Sequence, residues 1–168
     1  NFFGESTGDG SFEATEVGVN ASLRMFPELQ LSGQLLWRKV GNIGDDKIQL
    51  DYGLADYRFF SNEQRHHGLR FGRIKNPLGL YNDTRDVAFT RPGIILPQSI
   101  YFERTRDLAL SSDGGEMYGE LRFAVNTLSW ELMVAQPRTS DVDTEIALLG
   151  ADRPGHLGGD TSVVGRLI

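Results

Sequence analysis

The chain has 168 residues, enough for one ordinary domain, and 39% of them are hydrophobic. Its formal net charge of −6 argues against a nucleic-acid-binding surface, and the absence of cysteine excludes a disulfide scaffold and a cysteine-based metal site. No apolar run approaches the ~18 residues that a membrane helix requires. The sequence begins at Asn1 without an initiator methionine and stops within a strand-like run, SVVGRLI, so we expect a partial chain.

The first predicted elements are two strands, at residues 16–25 and 29–38, joined by a turn at Pro27. Every second residue of the first strand is apolar: Val17, Val19, Ala21, Leu23 and Met25. This period of two predicts a β-strand with one apolar and one polar face. The same pattern predicts further strands at 47–60, 68–74, 115–125, 128–136 and from about Thr161. Since we find no helical period of useful length, we predict an all-β antiparallel fold in which residues 1–168 form a single segment.

The connections between these strands alternate between short and long. Residues 26–28, 61–67 and 126–127 form short connections, whereas 39–47, 75–114 and 137–160 form longer ones. Alternate connections of an up-and-down meander lie at opposite ends of the sheet, so one end would carry all of the long loops. Outer-membrane barrels have this asymmetry, and a Greek-key sandwich has no reason for it.

Strand length and aromatic placement point the same way. Several runs reach about ten residues, the length that a tilted strand needs to cross a bilayer, whereas strands of soluble proteins usually have ~5–6. Aromatic residues near strand ends suit a membrane interface: Phe26, Trp37, Phe59, Phe60 and Trp130. Alternation by itself fits a half-solvated soluble sheet equally well. The combined pattern favours an antiparallel up-and-down transmembrane β-barrel whose apolar residues face lipid.

A more specific pattern lies where the strand at 68–74 ends. There the sequence reads Gly-Arg-x-Lys-x-Pro-hydrophobic-Gly, formed by Gly72, Arg73, Lys75, Pro77, Leu78 and Gly79. The segment 68–114 resembles the general porins of Gram-negative bacteria, in which a strand with this ending enters a long loop that folds back into the channel. The resemblance implies a barrel of about 16–18 strands, of which this chain supplies about six to eight. It makes residues 75–114 the constriction loop.

The same resemblance implies a function and its partners. Such a protein lies in the outer membrane of a Gram-negative bacterium, in contact with its lipid, and is usually a homotrimer. It lets small hydrophilic solutes and ions diffuse passively through a water-filled barrel, and it is not an enzyme and needs no cofactor. We therefore expect a porin.

A porin selects by the width of its narrowest part and by the electric field across it. The loop acids that we expect at the constriction are Asp83, Asp86, Glu103 and Asp107. The wall arginines that strand alternation places on the polar face are Arg24, Arg38, Arg70 and Arg122. The loop arginines, among them Arg85 and Arg106, are expected to pair with the loop acids. Many of these charges could instead form solvated or structural ion pairs that hold the loop to the wall.

The alternative from another class is a soluble all-β carbohydrate-binding module, with the tyrosines and Trp130 as a ligand platform. The discriminating feature is whether the apolar faces converge on a protein core or form an outward band. Motifs for catalysis are missing from the sequence, since there is no Gly-x-Ser-x-Gly elbow. A transition-metal site is not expected either, because His66 and His67 are predicted to lie in a short polar turn without a His-x-His pattern.

Overall fold

The computed structural model describes residues 14–40, 47–85, 87, 90, 96–97, 99–139, 142–151 and 153–168. Its strands are β1 (Ala14–Arg24), β2 (Leu29–Val40), β3 (Ile48–Ser61), β4 (Arg65–Lys75), β5 (Ser111–Arg122), β6 (Thr127–Pro137) and β7 (Ser162–Leu167). They form one open antiparallel sheet of seven strands, in the order of the sequence from β1 to β7. The predicted all-β, up-and-down architecture is confirmed at this level.

The predicted alternation of connections is also confirmed. One end of the sheet, which we call the short-turn end, carries the connections 25–28, 62–64 and 123–126. The opposite end, the long-loop end, carries the connections 41–47, 76–110 and 138–161. The short turns are closed by local hydrogen bonds. In one of them the Asn62 side-chain oxygen accepts from the backbone N–H groups of Gln64 and Arg65, at 3.0 and 2.7 Å.

Strand ends and helices show where the sequence-based expectations were wrong. β4 begins at Arg65, so His66 and His67 lie within a strand and not in a turn. β5 begins at Ser111, which shortens the connection predicted at 75–114 to 76–110. Two short helices, α1 (Arg106–Leu110) and α2 (Val142–Leu149), lie in the long connections, and a 3-10 turn precedes α1. Five and eight residues are too few to display a helical period in a sequence. No helix among the described residues is long and apolar enough to cross a membrane.

One strand breaks the predicted alternation because of a bulge. The register between β2 and β3 pairs Gln34 with Tyr52 but Leu35 with Leu50, so Asp51 is the extra residue. From there on, the side chains of β3 change face relative to the simple period of two. Tyr52 and Leu54 therefore share the face of Gln34, and Ala55 shares that of Leu31, the reverse of what the sequence pattern predicted.

The two faces of the sheet have opposite character. One cross-strand row runs through all seven strands and is apolar throughout: Leu23, Leu31, Ala55, Phe71, Gly115, Val134 and Val163. Five of its seven members are exposed, with Phe71 at 56% and Val163 at 66%. We call this the outer face. The other side, the inner face, carries polar side chains that are almost fully buried, among them Asp51 and Glu116 at 1% and 3%. A sheet of a soluble protein has the reverse arrangement.

The described residues of the segment 76–110, which we call the covering segment, lie over the inner face. Asp83, near its beginning, contacts Arg166 of β7, and Arg106, near its end, contacts Asp51 of β3. A small apolar cluster of Ile74, Met133 and Ala135 lies on the same side of the sheet and packs against Leu54 and Val164. The burial inside this part of the protein is therefore largely polar, with one apolar patch.

Gly72 occupies a position that other residues fill only with strain. Its φ is +121°, and an added Cβ would lie 2.4 Å from the backbone oxygen of Gly53 on the neighbouring strand. Gly72→Ala should lower the free energy of unfolding by about 1–3 kcal/mol, because a β-strand backbone cannot move aside as a side chain would. The measurement is the denaturant midpoint of the folded protein.

The matched control for this substitution is Gly158→Ala, where nothing lies within 4 Å of the added Cβ. That variant should keep the wild-type midpoint. Equal midpoints for the two variants would show that the β3–β4 contact at Gly72 is looser than described.

Candidate functional site

The two ends of the covering segment are tied to each other by two buried asparagines. The Asn76 side-chain amide donates to the backbone oxygens of Leu108 and Ala109, both at 3.1 Å. The Asn82 amide donates to the oxygens of Asn76 and Leu110, both at 2.9 Å. A carboxamide suits this position because its N–H groups can satisfy the carbonyls at the end of a short helix. The segment therefore leaves and rejoins the sheet at one fixed point.

A tight turn near the start of the segment is built around Tyr101. Gly79 has a φ of +64°, and an added Cβ there would lie 2.5 Å from the Tyr101 hydroxyl. That hydroxyl accepts a hydrogen bond from the Tyr81 backbone N–H at 2.8 Å. The Arg85 guanidinium donates to the Tyr101 backbone oxygen at 3.1 Å. The positive φ of Gly79 permits this turn, and the turn fixes the direction in which the chain crosses the sheet.

A buried ion pair anchors the end of the covering segment to the inner face of the sheet, which we also call the wall. Arg106 Nη2 lies 3.0 Å from Asp51 Oδ2, and both side chains are almost completely buried. The Gln34 side chain also donates to Asp51 Oδ2, at the longer distance of 3.4 Å. We expected Arg106 to pair with an acid of the loop, and the partner that the described residues show is an acid of the sheet. The bulge in β3 turns Asp51 toward the covering segment, so the partner is on the wall.

The central part of the inner face holds a network of charged side chains. Arg70 of β4 lies between two carboxylates, with Nε 3.3 Å from Asp56 Oδ2 and Nη1 2.9 Å from Glu116 Oε2. Its guanidinium also lies over the ring of Tyr118, 4.1 Å from the centroid. The Tyr118 hydroxyl donates to Asp56 at 2.6 Å. Neighbouring strands thus hold Arg70 in one orientation.

The network continues to the last strand and from there to the covering segment. Glu131 of β6 lies 4.0 Å from Arg70 and accepts a hydrogen bond from Arg166 Nε of β7 at 2.8 Å. Arg166 then reaches the segment, bonding Asp83 Oδ2 at 2.6 Å and the backbone oxygen of Gly79 at 3.2 Å. We call these six residues the charged ladder: Asp56, Arg70, Glu116, Glu131, Arg166 and Asp83.

A cavity of about 230 Å³ remains between the covering segment and the inner face of the first four strands. Asn20 of β1, Tyr52 of β3 and Arg70 of β4 line it from the wall, and Asp83 lines it from the segment. Lys75 closes one side, with Nζ 3.1 Å from the backbone oxygen of Asp83 and 5.3 Å from the Tyr52 ring centroid. Charges of both signs therefore face a space that is open to small polar molecules.

Only two of the predicted constriction residues, Arg70 and Asp83, belong to the charged ladder. Arg24 occupies the same cross-strand row as Arg70 but is exposed at the short-turn end of β1. Arg38 pairs with Glu16 at 2.7 Å near the other end, and Arg122 pairs with Glu120 at the short-turn end. The four wall arginines do not meet at one level of the sheet.

Of the three remaining loop acids, the structure describes the side chain of Asp107. Asp107 pairs with Arg138 at 3.2 Å, away from the ladder. Asp86 lies outside the described residues, and so does the side chain of Glu103. Among the residues that the structure describes, the loop acid that meets the wall is therefore Asp83.

Four ladder residues were not among the predicted site residues: Asp56, Glu116, Glu131 and Arg166. The alternation of β5 already places Glu116 beside Tyr118 and Glu120 on the polar face. In β7, Ser162, Val164 and Arg166 alternate with Val163, Gly165 and Leu167, which gives Arg166 the same orientation. Both could have been predicted from the period of two, whereas Asp56 lies beyond the bulge and could not.

Comparison of the chain with protein-family models, with curated proteins and with solved structures found no match. Within the described residues, no group of three or more His, Asp or Glu side chains is placed to hold a metal ion. The interpretation of the site therefore rests on its own geometry: a fixed array of opposite charges beside a polar cavity, under a segment tied down at both ends.

Proposed function

We propose that this chain is part of a porin of the bacterial outer membrane. The inner face lines a water-filled path for small hydrophilic solutes and ions, the outer face contacts lipid, and the segment 76–110 narrows the path. The observation that carries the proposal is the polarity of the sheet. Its exposed row is apolar across seven strands, while its ionic side chains lie on the covered side. The sequence resemblance extends the proposal to a homotrimer.

The mechanism is passive diffusion under a local field. A solute passing the cavity meets Arg70 on the wall and Asp83 on the segment, so polar molecules are oriented as they pass. With Lys75, which closes one side of the cavity, the four carboxylates of the ladder face three cationic groups. This excess of negative charge raises the local concentration of cations, so the path should conduct cations better than anions.

The first test is the behaviour of the full-length gene product in detergent and in a bilayer. A folded barrel resists SDS when it is not boiled and shifts on a gel when it is, and reconstitution into a planar bilayer should then give discrete conductance steps. A monomer that partitions into water, shows no heat shift and gives no conductance would reject the porin proposal. It would favour the soluble all-β binding module instead.

The selectivity can be tested with Asp83→Asn, which removes one ladder charge and keeps the side-chain shape. A unit charge acts on an ion 4–10 Å away in water with about 0.4–1 kcal/mol, so the local cation concentration should fall about two- to fivefold and the cation-to-anion permeability ratio with it. The measurement is the reversal potential under a salt gradient in a planar bilayer. Because Asp83 is about half exposed, folding should be little affected.

Asp160→Asn is the matched control, since Asp160 is exposed just before β7 and outside the ladder. It should leave the reversal potential where the wild type has it. If the two variants shift the potential equally, the selectivity arises from overall charge and not from the ladder.

A further inference from the structure

A second, larger pocket lies at the long-loop end of the sheet, apart from the charged ladder. It has a volume of about 640 Å³, within the range of small-molecule sites. Its floor includes the cross-strand row of Arg73, Asp113 and Gln136, at the ends of β4, β5 and β6. Residues 138–139 and 157–159 form the opposite side. We call this the rim pocket.

The ionic groups of the rim pocket neutralise one another. Arg73 forms a two-point contact with Asp113, at 2.8 and 3.0 Å, and its third nitrogen donates to the backbone oxygen of Leu50. Arg138 pairs with Asp107 at 3.2 Å. An anionic ligand would have to displace a carboxylate from one of these arginines, and a cationic ligand would have to displace a guanidinium. Each exchange breaks one ion pair to form another, so neither increases the number of ion pairs.

The uncommitted hydrogen-bonding groups of the rim pocket are neutral. The Gln136 amide donates to the backbone oxygen of Gly159 at 3.1 Å and, within the described residues, its side-chain oxygen accepts nothing. The Gln49 carboxamide makes no hydrogen bond within the same part of the chain. The Thr139 hydroxyl donates to Leu157 at 2.6 Å and keeps its acceptor positions. These groups offer both donors and acceptors to a ligand, and Pro137 adds an apolar surface.

We propose that the rim pocket binds a neutral polyhydroxylated ligand, of the size of one or two sugar rings. Hydroxyl groups both donate and accept, so they match carboxamides and a threonine better than a charged group would. The C–H face of a sugar ring can contact Pro137 and Leu157. This site is separate from the proposed conduction path, and binding there does not require that the protein conducts.

The test uses saturation-transfer NMR to measure the binding of three matched sugars to the detergent-folded full-length protein. Glucose is neutral, glucose 6-phosphate is anionic and glucosamine is cationic, on the same ring. Glucose should bind saturably and more tightly than either charged analogue. Gln49→Ala and Gln136→Ala should each weaken glucose binding about two- to tenfold, the effect of one lost hydrogen bond.

Gln64→Ala, in a turn at the short-turn end, is the matched control and should leave glucose binding unchanged. Each variant is first checked for its heat shift, so that a misfolded protein is not scored. Absence of saturable glucose binding, tighter binding of a charged analogue, or unchanged binding in both glutamine variants would each overturn the proposal.

The charge argument gives one further expectation for the same pocket. Asp113→Asn removes the carboxylate that neutralises Arg73. This variant should bind glucose 6-phosphate more tightly than the wild type does, by about two- to tenfold. If its preference between glucose and glucose 6-phosphate is unchanged, the paired charges do not set the selectivity and the proposed reason for a neutral ligand is wrong.

Discussion

Arg106→Ala should release the end of the covering segment from the sheet and, if the protein is the proposed porin, increase its conductance. The substitution leaves the Asp51 carboxylate nearly fully buried, with the longer contact to Gln34 among its remaining partners. Breaking a buried ion pair by removing one partner typically costs about 3–5 kcal/mol, since an uncompensated charge stays out of water. The cheapest response is to admit water by moving the segment away from β3.

The measurement is single-channel conductance in a planar bilayer, together with limited proteolysis of residues 76–110. The conductance and the rate of cleavage within residues 76–110 should both be higher in Arg106→Ala than in the wild type. Arg104→Ala is the matched control, because Arg104 is exposed in the 3-10 turn two residues earlier. Identical conductance and protease resistance in the two variants would show that the Asp51–Arg106 pair does not anchor the segment.

A second variant distinguishes the effect of the unpaired Asp51 charge from the effect of losing the Arg106 side chain. In Asp51→Asn combined with Arg106→Ala, the buried charge is gone together with its partner. Such double changes cost less than the single removal, because no unpaired ion remains in the interior. The double variant should therefore recover protease resistance relative to Arg106→Ala alone.

Most of the sheet could be predicted because the pattern that indicates a strand is contained in a short stretch of sequence. A strand with one apolar face shows its period of two in any window of six or more residues, and the strands follow it except β3, which departs from it at the bulge. The order of the strands could be inferred from the alternating connection lengths, since a short turn leaves only an antiparallel neighbour as its solution. Gly72 and Gly79 both have a positive φ, a backbone conformation that glycine adopts without strain.

The candidate site was harder because its contacts join residues far apart in the sequence. Arg166 and Asp83 are 83 positions apart, and Arg106 and Asp51 are 55 apart. Alternation assigns a residue to a face but does not fix which strands lie opposite the covering segment. The bulge at Asp51 added a second error, because one extra residue changes the face of every residue that follows it.

Val134→Arg should destabilise the protein strongly if the outer face contacts lipid. Val134 lies in the apolar row, on β6, and its side chain is 49% exposed. In water, an arginine at such a position costs little, since surface substitutions usually stay within about 0.5 kcal/mol. In a bilayer, an arginine on the lipid-facing side of a barrel costs about 2–4 kcal/mol at mid-depth and less near the interface.

Val125→Arg makes the same chemical change outside the sheet. Val125 lies in the connection 123–126 at the short-turn end and is 91% exposed. The two variants should be compared by their denaturant midpoints in lipid vesicles, where only Val134→Arg should lower the midpoint. If both keep the wild-type midpoint, the outer face lies in water, and the polarity of the sheet no longer supports a membrane channel. The charged ladder and its covering segment would then belong to a soluble sheet with a polar interior, because their contacts do not depend on the surroundings of the outer face.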